Sequence, residues 1–304
     1  MNKVNWLEML PHEFHQMMEK TPVGYMAYGL AEPHGVYNAL GLDYMVAHGL
    51  VTDAAKKFGG IVAPPFAWHI QEQQYYDWEM DCCGMGMSIS SSIPEELYLH
   101  NMVYHIRNFD SKGFKAVILL SGHFINKQAN DMQRLADLYM RRTGTPMRIT
   151  ASTYDFFNTS GIESDGHAGT EETSLFMNYR PELVDLTMIG KPLAVPESVA
   201  GGGLDEYGPY CAPKNFGKDG KLPSADIGKQ IAGNICDNLG LEAEKLLAAY
   251  VSKPGYKAPS LIDTEDIYNR YMKLAARYLS ITATRAESET WIFPEFPGWE
   301  AMGE

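Results

Sequence analysis

Two carboxylates and an imidazole stand close together near the start of the chain. They are Glu32, His34 and Asp43, within Gly29-Leu30-Ala31-Glu32-Pro33-His34-Gly35 and the following Gly41-Leu42-Asp43. A turn at Pro33 and the glycines can bring all three to one centre. Such mixed oxygen and nitrogen donors suit Zn²⁺, Mn²⁺ or Fe²⁺ and suit Mg²⁺ or Ca²⁺ poorly. Another imidazole, His123, closes the apolar run Ala116-Val117-Ile118-Leu119-Leu120-Ser121-Gly122. Val117 to Leu120 read as a strand buried on both faces, and Gly122 as the residue that lets the backbone turn. A His at the carboxyl end of a buried parallel strand sits where open α/β sheets build their sites. The third cluster is Asp165-Gly166-His167-Ala168-Gly169-Thr170-Glu171-Glu172-Thr173-Ser174. It reads as a glycine-punctuated loop entering a helix, with acidic residues near the positive helix end. A role as first-turn helix carboxylates accounts for one of Glu171 and Glu172 and leaves His167 unexplained.

Together the three clusters resemble the creatininase family, creatinine amidohydrolase and its relatives. The resemblance rests on G-x-x-E-P-H-G with the later G-L-D, on S-G-H-F-I-N, and on H-A-G-T-E-E-T-S. Two softer matches, Cys83 to Ser90 and Lys221 to Lys229, extend it over roughly residues 20 to 245. It implies an α/β fold, a three-layer α/β/α sandwich with a mostly parallel sheet, and a binuclear metal centre. Carried over position by position, the implied ligands are Glu32, His34, Asp43 and His123, with Asp43 bridging two ions. Creatininase itself has a metal-binding Glu two residues after the strand-end His, where this chain has Ile125. That departure argues against creatinine as substrate and leaves a second ion short of a ligand, unless Glu172 or water supplies the bond. Glu172 is preferred to Glu171 for that place, and a mononuclear site stays open. The implied cofactor is one or two divalent ions per chain, Zn, Mn or Fe.

Such an ion lowers the pKa of a bound water from 15.7 to about 7 and polarises a carbonyl. His167 is then the candidate proton donor to a leaving group, because an imidazole titrates near neutrality. Glu172 is the alternative, as a proton shuttle. The expected activity is hydrolysis of a small amide, with a cyclic one favoured, by metal-bound hydroxide. One alternative within the family's reach is hydrolysis of a cyclic diketone, with carbon–carbon cleavage, in inositol or carbohydrate breakdown. Another is a non-catalytic, metal-containing binding protein of the same fold. No G-x-S-x-G elbow and no phosphate-binding P-loop occur, so serine-hydrolase and nucleotide chemistry lack support. Adjacent Cys82 and Cys83 leave a thiol-dependent enzyme as a weaker idea.

The elements that must position these groups alternate along the chain. Helices are expected over residues 7–20, 46–58, 94–111 and 127–143, and strands over 23–30, 60–63, 117–120 and 147–152. Strands separated by helices point to βαβ units and a parallel sheet. Residues 1–250 are read as the metal hydrolase domain. Residues 251–304 are read as an extension packing on that domain or on a neighbouring subunit. The tail from Trp291 to Trp299 is an aromatic strip broken by Pro294 and Pro297, which no regular helix accommodates. Phe66 to His69 and Gln73 to Trp78 mix aromatic and polar groups as small-molecule pockets do. Trp68 and His69 are the expected substrate contacts there.

Composition bounds the rest. The chain has 304 residues with 45% hydrophobic content, ample for a substantial core. A net charge of −13 disfavours nucleic acid as a partner. No apolar stretch approaches the ~20 residues that span a bilayer, and the amino terminus lacks the apolar segment of a signal peptide. A cytoplasmic protein is expected, with a small-molecule substrate and no membrane partner. The resemblance adds a homo-oligomer, with a hexamer favoured. Four cysteines without a C-x-x-C make neither a disulfide framework nor a structural zinc site.

Overall fold

The computed structural model describes residues 3–32, 34–70, 91, 93–123, 126–162, 164–189 and 222–275. Ile125, Cys82, Cys83, Cys211, residues 73–78 and the aromatic tail lie outside them. The core element is a four-stranded, wholly parallel sheet. Its strands are β1 (Val23–Tyr28), β2 (Ile61–Val62), β3 (Ala116–Ser121) and β4 (Arg148–Thr153), in the order β2-β1-β3-β4. β1 and β3 are buried at every position, the signature of strands covered on both faces.

The two-residue period of the strands sorts their side chains into two cores. Met26, Tyr28, Val117, Leu119, Ile149 and Ala151 face one helix layer. It comprises α1 (Pro11–Lys20), α3 (Glu95–Ser111), α4 (Asn126–Thr143) and α7 (Leu261–Ala275). Val23, Tyr25, Ala27, Ala116, Ile118 and Leu120 face the other. That layer comprises α2 (Leu42–Phe58), α5 (Thr170–Tyr179) and α6 (Ala225–Ala248). The architecture is the expected three-layer α/β/α sandwich. Ile267 and Tyr271 of α7 lie in the same core as α3 and α4.

Two element bounds differ from the sequence reading in ways that matter. The first helix starts at Pro11 rather than at residue 7, after a 3-10 turn over Trp6–Glu8. Proline at the first turn and a hydrogen bond from the Leu10 amide to Glu13 Oε2 at 2.7 Å set that start. The second helix begins at Leu42, not Val46, so Asp43 sits on a first helical turn instead of in a loop. A carboxylate there is favoured by the helix dipole.

The sheet order has a reversal. From β1 the chain steps outward to β2 on one side and returns to β3 and β4 on the other. Open α/β sheets bind ligands in the crevice at such a switch point, beyond the carboxyl ends of the strands. Here that crevice lies past Tyr28 and Ser121, between β1 and β3.

Candidate metal centre

Three backbone segments meet in this crevice. The loop after β1 carries Glu32 and His34 and leads into α2, which carries Asp43. Two glycines allow the approach. A Cβ on Gly29 would stand 2.5 Å from the Tyr44 amide nitrogen, and one on Gly122 would stand 2.0 Å from the Asp43 carbonyl oxygen. Gly122 has no positive φ among the described backbone. It is required for close contact rather than for the turn expected of it, and that contact sets His123 against Asp43. The third segment is the loop from Asp165 to Gly169, ahead of α5. Asn38 ties it to the first loop, donating to the His34 carbonyl at 3.1 Å and to Thr173 Oγ1 at 3.0 Å.

Asp43 is the middle of the cluster, with 1% of its surface exposed. Its Oδ1 lies 2.9 Å from His34 Nε2, and its Oδ2 lies 3.0 Å from His123 Nδ1. Glu32 Oε1 is 3.0 Å from His123 Nδ1 and 3.8 Å from His34 Nε2. His34 Nδ1 faces the Glu32 carbonyl oxygen at 3.1 Å. A carbonyl can only accept, so Nδ1 carries the hydrogen and the neutral ring turns the Nε2 lone pair toward Asp43. At His34 a lone pair faces a carboxylate lone pair at 2.9 Å, tolerable only with a proton or a cation between them, whereas a neutral His123 can donate from Nδ1 to Asp43 Oδ2 or Glu32 Oε1. Protonation is the metal-free solution. Burial pulls His34 and His123 down, but Asp43 and Glu32, with Glu172 near His34, outweigh it and raise both to about 10. Burial likewise works against ionised Asp43, and the two imidazoles overcome it to hold its carboxyl far below the usual range.

These residues fit a divalent cation. Asp43 Oδ2 and His123 Nε2 are buried without a well-aligned hydrogen bond among the described residues, although Oδ2 is in close contact with the His123 ring. Donors about 2.0–2.2 Å from a tetrahedral ion stand about 3.3 Å apart. Glu32, Asp43 and His123 already offer one donor atom each within 4.8 Å of one another, as do Glu32, His34 and His167. A nitrogen and oxygen set of this kind suits Zn²⁺, Mn²⁺ or Fe²⁺.

The remaining site candidates fall in two places. Glu172, on the first turn of α5, accepts the Ala168 amide at 2.5 Å and lies 3.8 Å from His34 Nε2 through the same Oε2. Burial raises its carboxyl above the ordinary value. Glu171 points instead to Asn158 Nδ2, at 2.9 Å, away from the cluster contacts. His167 stacks beside His34, with ring centroids 4.4 Å apart. Ala168 holds a left-handed backbone, φ 58°, in a wholly buried position. Tyr37 Oη and Thr173 Oγ1 donate to its carbonyl at 2.6 and 3.2 Å.

Trp68, an expected substrate contact, is 51% exposed, whereas His69, the other, has no exposed surface. His69 Nδ1 donates to the Ile70 carbonyl at 3.0 Å, and Nε2 faces Ser121 Oγ at 3.1 Å. With both nitrogens turned to protein, it has no face for a substrate. It lies behind His123, ring centroids 5.2 Å apart. Ser121 links the two, accepting the His123 amide at 3.2 Å and donating to the His123 carbonyl at 2.8 Å. In the sequence, the one signal for Ser121 is its position two residues before the strand-end His.

The family model described as creatinine amidohydrolase matches residues 7–236. The chain belongs to the creatininase family. Solved structures share the fold. A Bacteroides fragilis protein provisionally described as a creatinine amidohydrolase is 20% identical, with a TM-score of 0.61 over 83% of this chain and 98% of that one. A structure described as creatininase with Mn is 19% identical, TM-score 0.57, over 82% of this chain and all of that one. A Zn–Zn form of a variant creatininase gives 19% identity and TM-score 0.57 over 82% and 100%. No curated protein matches the chain. Glu32, His34, Asp43, Ser121 to His123 and His167 to Ser174, the described residues of the three motifs, lie on the segments that meet here. Among the described residues, no helix is long and apolar enough to cross a membrane.

Proposed function

We propose that the chain is a metal-dependent hydrolase acting on the carbonyl of a small, cyclic amide. One observation carries this reading: Asp43 turns one carboxylate oxygen to His34 and the other to His123, with Glu32 beside both. Glu32, Asp43 and His123 would hold one ion, of zinc, manganese or iron. His34 and the second Asp43 oxygen begin a seat for another, with Glu172 at its edge. A divalent cation held there supplies an acidified water and a Lewis acid for a carbonyl.

The chain's own groups do the rest. The carbonyl of Glu32 fixes the His34 tautomer, so Nε2 presents its lone pair to the centre. Burial of Glu32, Asp43 and His34 excludes bulk water and strengthens every charge interaction. Cleaving a carbon–nitrogen bond requires a proton for the departing nitrogen. His167 and Glu172 border the cluster, and burial keeps Glu172 protonated to higher pH than a surface carboxyl. Membership of the family, together with this donor set, favours an amide over a phosphate ester.

The test is turnover on a panel of lactams, cyclic ureides, formamides and linear amides, with cyclic diketones alongside. We expect carbon–nitrogen cleavage that chelation abolishes and zinc or manganese restores. Turnover that survives complete metal removal overturns the reading; diketone cleavage alone moves it to carbon–carbon chemistry. Tight metal binding without any turnover would assign the fold a binding role. A cytoplasmic homo-oligomer, with residues 251–304 packed on the same domain or on a neighbour, belongs to the same reading. Native mass, with and without residues 291–304, tests the subunit part.

A further inference from the structure

The turn that carries His167 holds a conformation its own residues do not favour. The Gly169 amide donates to the Gly166 carbonyl at 2.9 Å, closing a turn with His167 and Ala168 at its two central positions. Ala168, the second of them, has φ 58° and is the one residue other than glycine with a positive φ among the described backbone. Turns with a positive φ there take glycine or asparagine, because a Cβ crowds the following carbonyl. Alanine has no polar side chain to bond the backbone locally, so its surroundings must impose the conformation. Two hydroxyls do so: Tyr37 Oη and Thr173 Oγ1 donate to the Ala168 carbonyl at 2.6 and 3.2 Å. We propose that Tyr37 is a positioning residue, whose hydroxyl locks this strained turn and thereby aims the His167 ring at the cluster.

Both peptide groups that flank His167 are fixed. The one before it accepts the Gly169 amide through the Gly166 carbonyl, and the one after it gives the Ala168 amide to Glu172 Oε2 at 2.5 Å. The side chain that leaves between them is 40% exposed, so packing does not cage it and the backbone sets its direction. Its ring lies beside that of His34, with centroids 4.4 Å apart. Tyr37 is mounted to hold this arrangement. It is 2% exposed, and a Cβ on Gly35 would stand 2.5 Å from its ring. Its carbonyl accepts the Asp185 amide at 2.8 Å, and the Ala39 amide donates to the Leu183 carbonyl at 3.0 Å. The hydroxyl is thus presented from the same loop that carries Glu32 and His34. Asn38 orients the second donor, since its Nδ2 donates to Thr173 Oγ1 at 3.0 Å.

Strain gives the Tyr37 hydroxyl its leverage. In a relaxed turn, losing one hydrogen bond would leave the backbone in place. Here a released alanine returns to the negative φ that its Cβ prefers. That rotation swings the His167 side chain, and with it the Ala168 amide that Glu172 accepts. The two groups at the border of the cluster that could carry a proton therefore move together.

This inference rests on the reading of His167 as a group that serves the hydrolysis, and amide exchange and rate measurements separate the two. Tyr37→Phe removes one hydroxyl and keeps the ring. In the metal-free, full-length protein this variant should exchange the Ala168 amide hydrogen about tenfold faster, while the amides of β3 keep their wild-type rates. In the metal-loaded protein, on whichever substrate of the panel is turned over, its kcat should fall about 10- to 100-fold with KM and ions per chain unchanged. In a His167→Ala background the same substitution should lower the rate no further, since the group it aims is gone. Adding Ala168→Gly to Tyr37→Phe should restore most of the lost rate and the slow exchange, because glycine takes φ 58° unaided. Unchanged exchange at Ala168, equal rate losses with and without His167, or no rescue by Ala168→Gly overturns the proposal. If nothing on the panel is turned over, the hydrolase reading fails, and the exchange rates and their rescue still support or refute the lock. Should Tyr37→Phe not fold, Thr173→Val removes the second donor and Thr173→Ser keeps it; the first should show the same losses, and the second should be spared most of them.

Discussion

Ser121 holds the His123 backbone through its amide and carbonyl, His69 packs edge-on against the His123 ring, and the quality of the cation site depends on that support. Outer-shell partners of this kind typically change metal affinity by about 10–100-fold when removed. Ser121→Ala and His69→Ala should each weaken the ion at His123 by about that factor, read by competition with a chromogenic chelator. Unchanged affinity would reduce both residues to packing. A different carboxyl contributes to the response to pH below neutrality. Burial is the main cause that raises Glu171 to about 7, Asn158 opposes it, and the Glu172 charge adds to the rise. The folded protein therefore binds this proton more tightly than the unfolded chain. The stabilisation is complete below pH ~4.5 and is lost as pH climbs through ~7, on the order of 3 kcal/mol at most. Metal-free Glu171→Gln should show a flatter stability curve across that window in urea titrations; an unaltered slope would refute the assignment. Glu32, His34, Asp43 and His123 were legible as candidates from residue type and spacing. The role of His69 was not, because the sequence cannot say on which side of the His123 ring it lies.

Among the elements, the approach of β3 to α2 decides whether the site exists. The Gly122 backbone lies so close to the Asp43 carbonyl that any side chain must push the two apart. Gly122→Ala should cost about 1–3 kcal/mol, as overpacking does, and weaken cation binding more than its stability loss accounts for. Parallel measurements of urea midpoint and cation affinity check this, and a variant with wild-type values for both would show that the contact yields freely. The central strands were readable because both faces are apolar, and continuous aliphatic runs leave few alternatives. The start of α2 was not. Its first turn, Leu42-Asp43-Tyr44-Met45, follows Gly41, which offers no side-chain cap, so the apolar stripe alone pointed to Val46.

For the whole molecule, the cation should act as a stabilising ligand, because the donors converge only in the folded chain. At a free concentration one hundred times Kd, binding contributes about 2.7 kcal/mol. Chelation should then lower Tm by roughly 5–10 °C for a chain of this class, with recovery on adding zinc or manganese. A Tm indifferent to chelation would mean that the cluster is satisfied by protons alone. The three-layer architecture follows from the alternation of strands and helices, whereas the strand order, and with it the crevice between β1 and β3, is set by long-range pairing that local pattern does not encode. That order has a consequence for biogenesis. Residues 32–43, 121–123 and 167–172 come together as one site only after β3 has inserted beside β1, so no early fragment holds the full donor set. A nascent chain leaving the ribosome would carry these histidines and carboxylates as scattered weak chelators. Metal acquisition becomes the closing event of maturation, and ion occupancy can serve as an assay for correctly assembled protein.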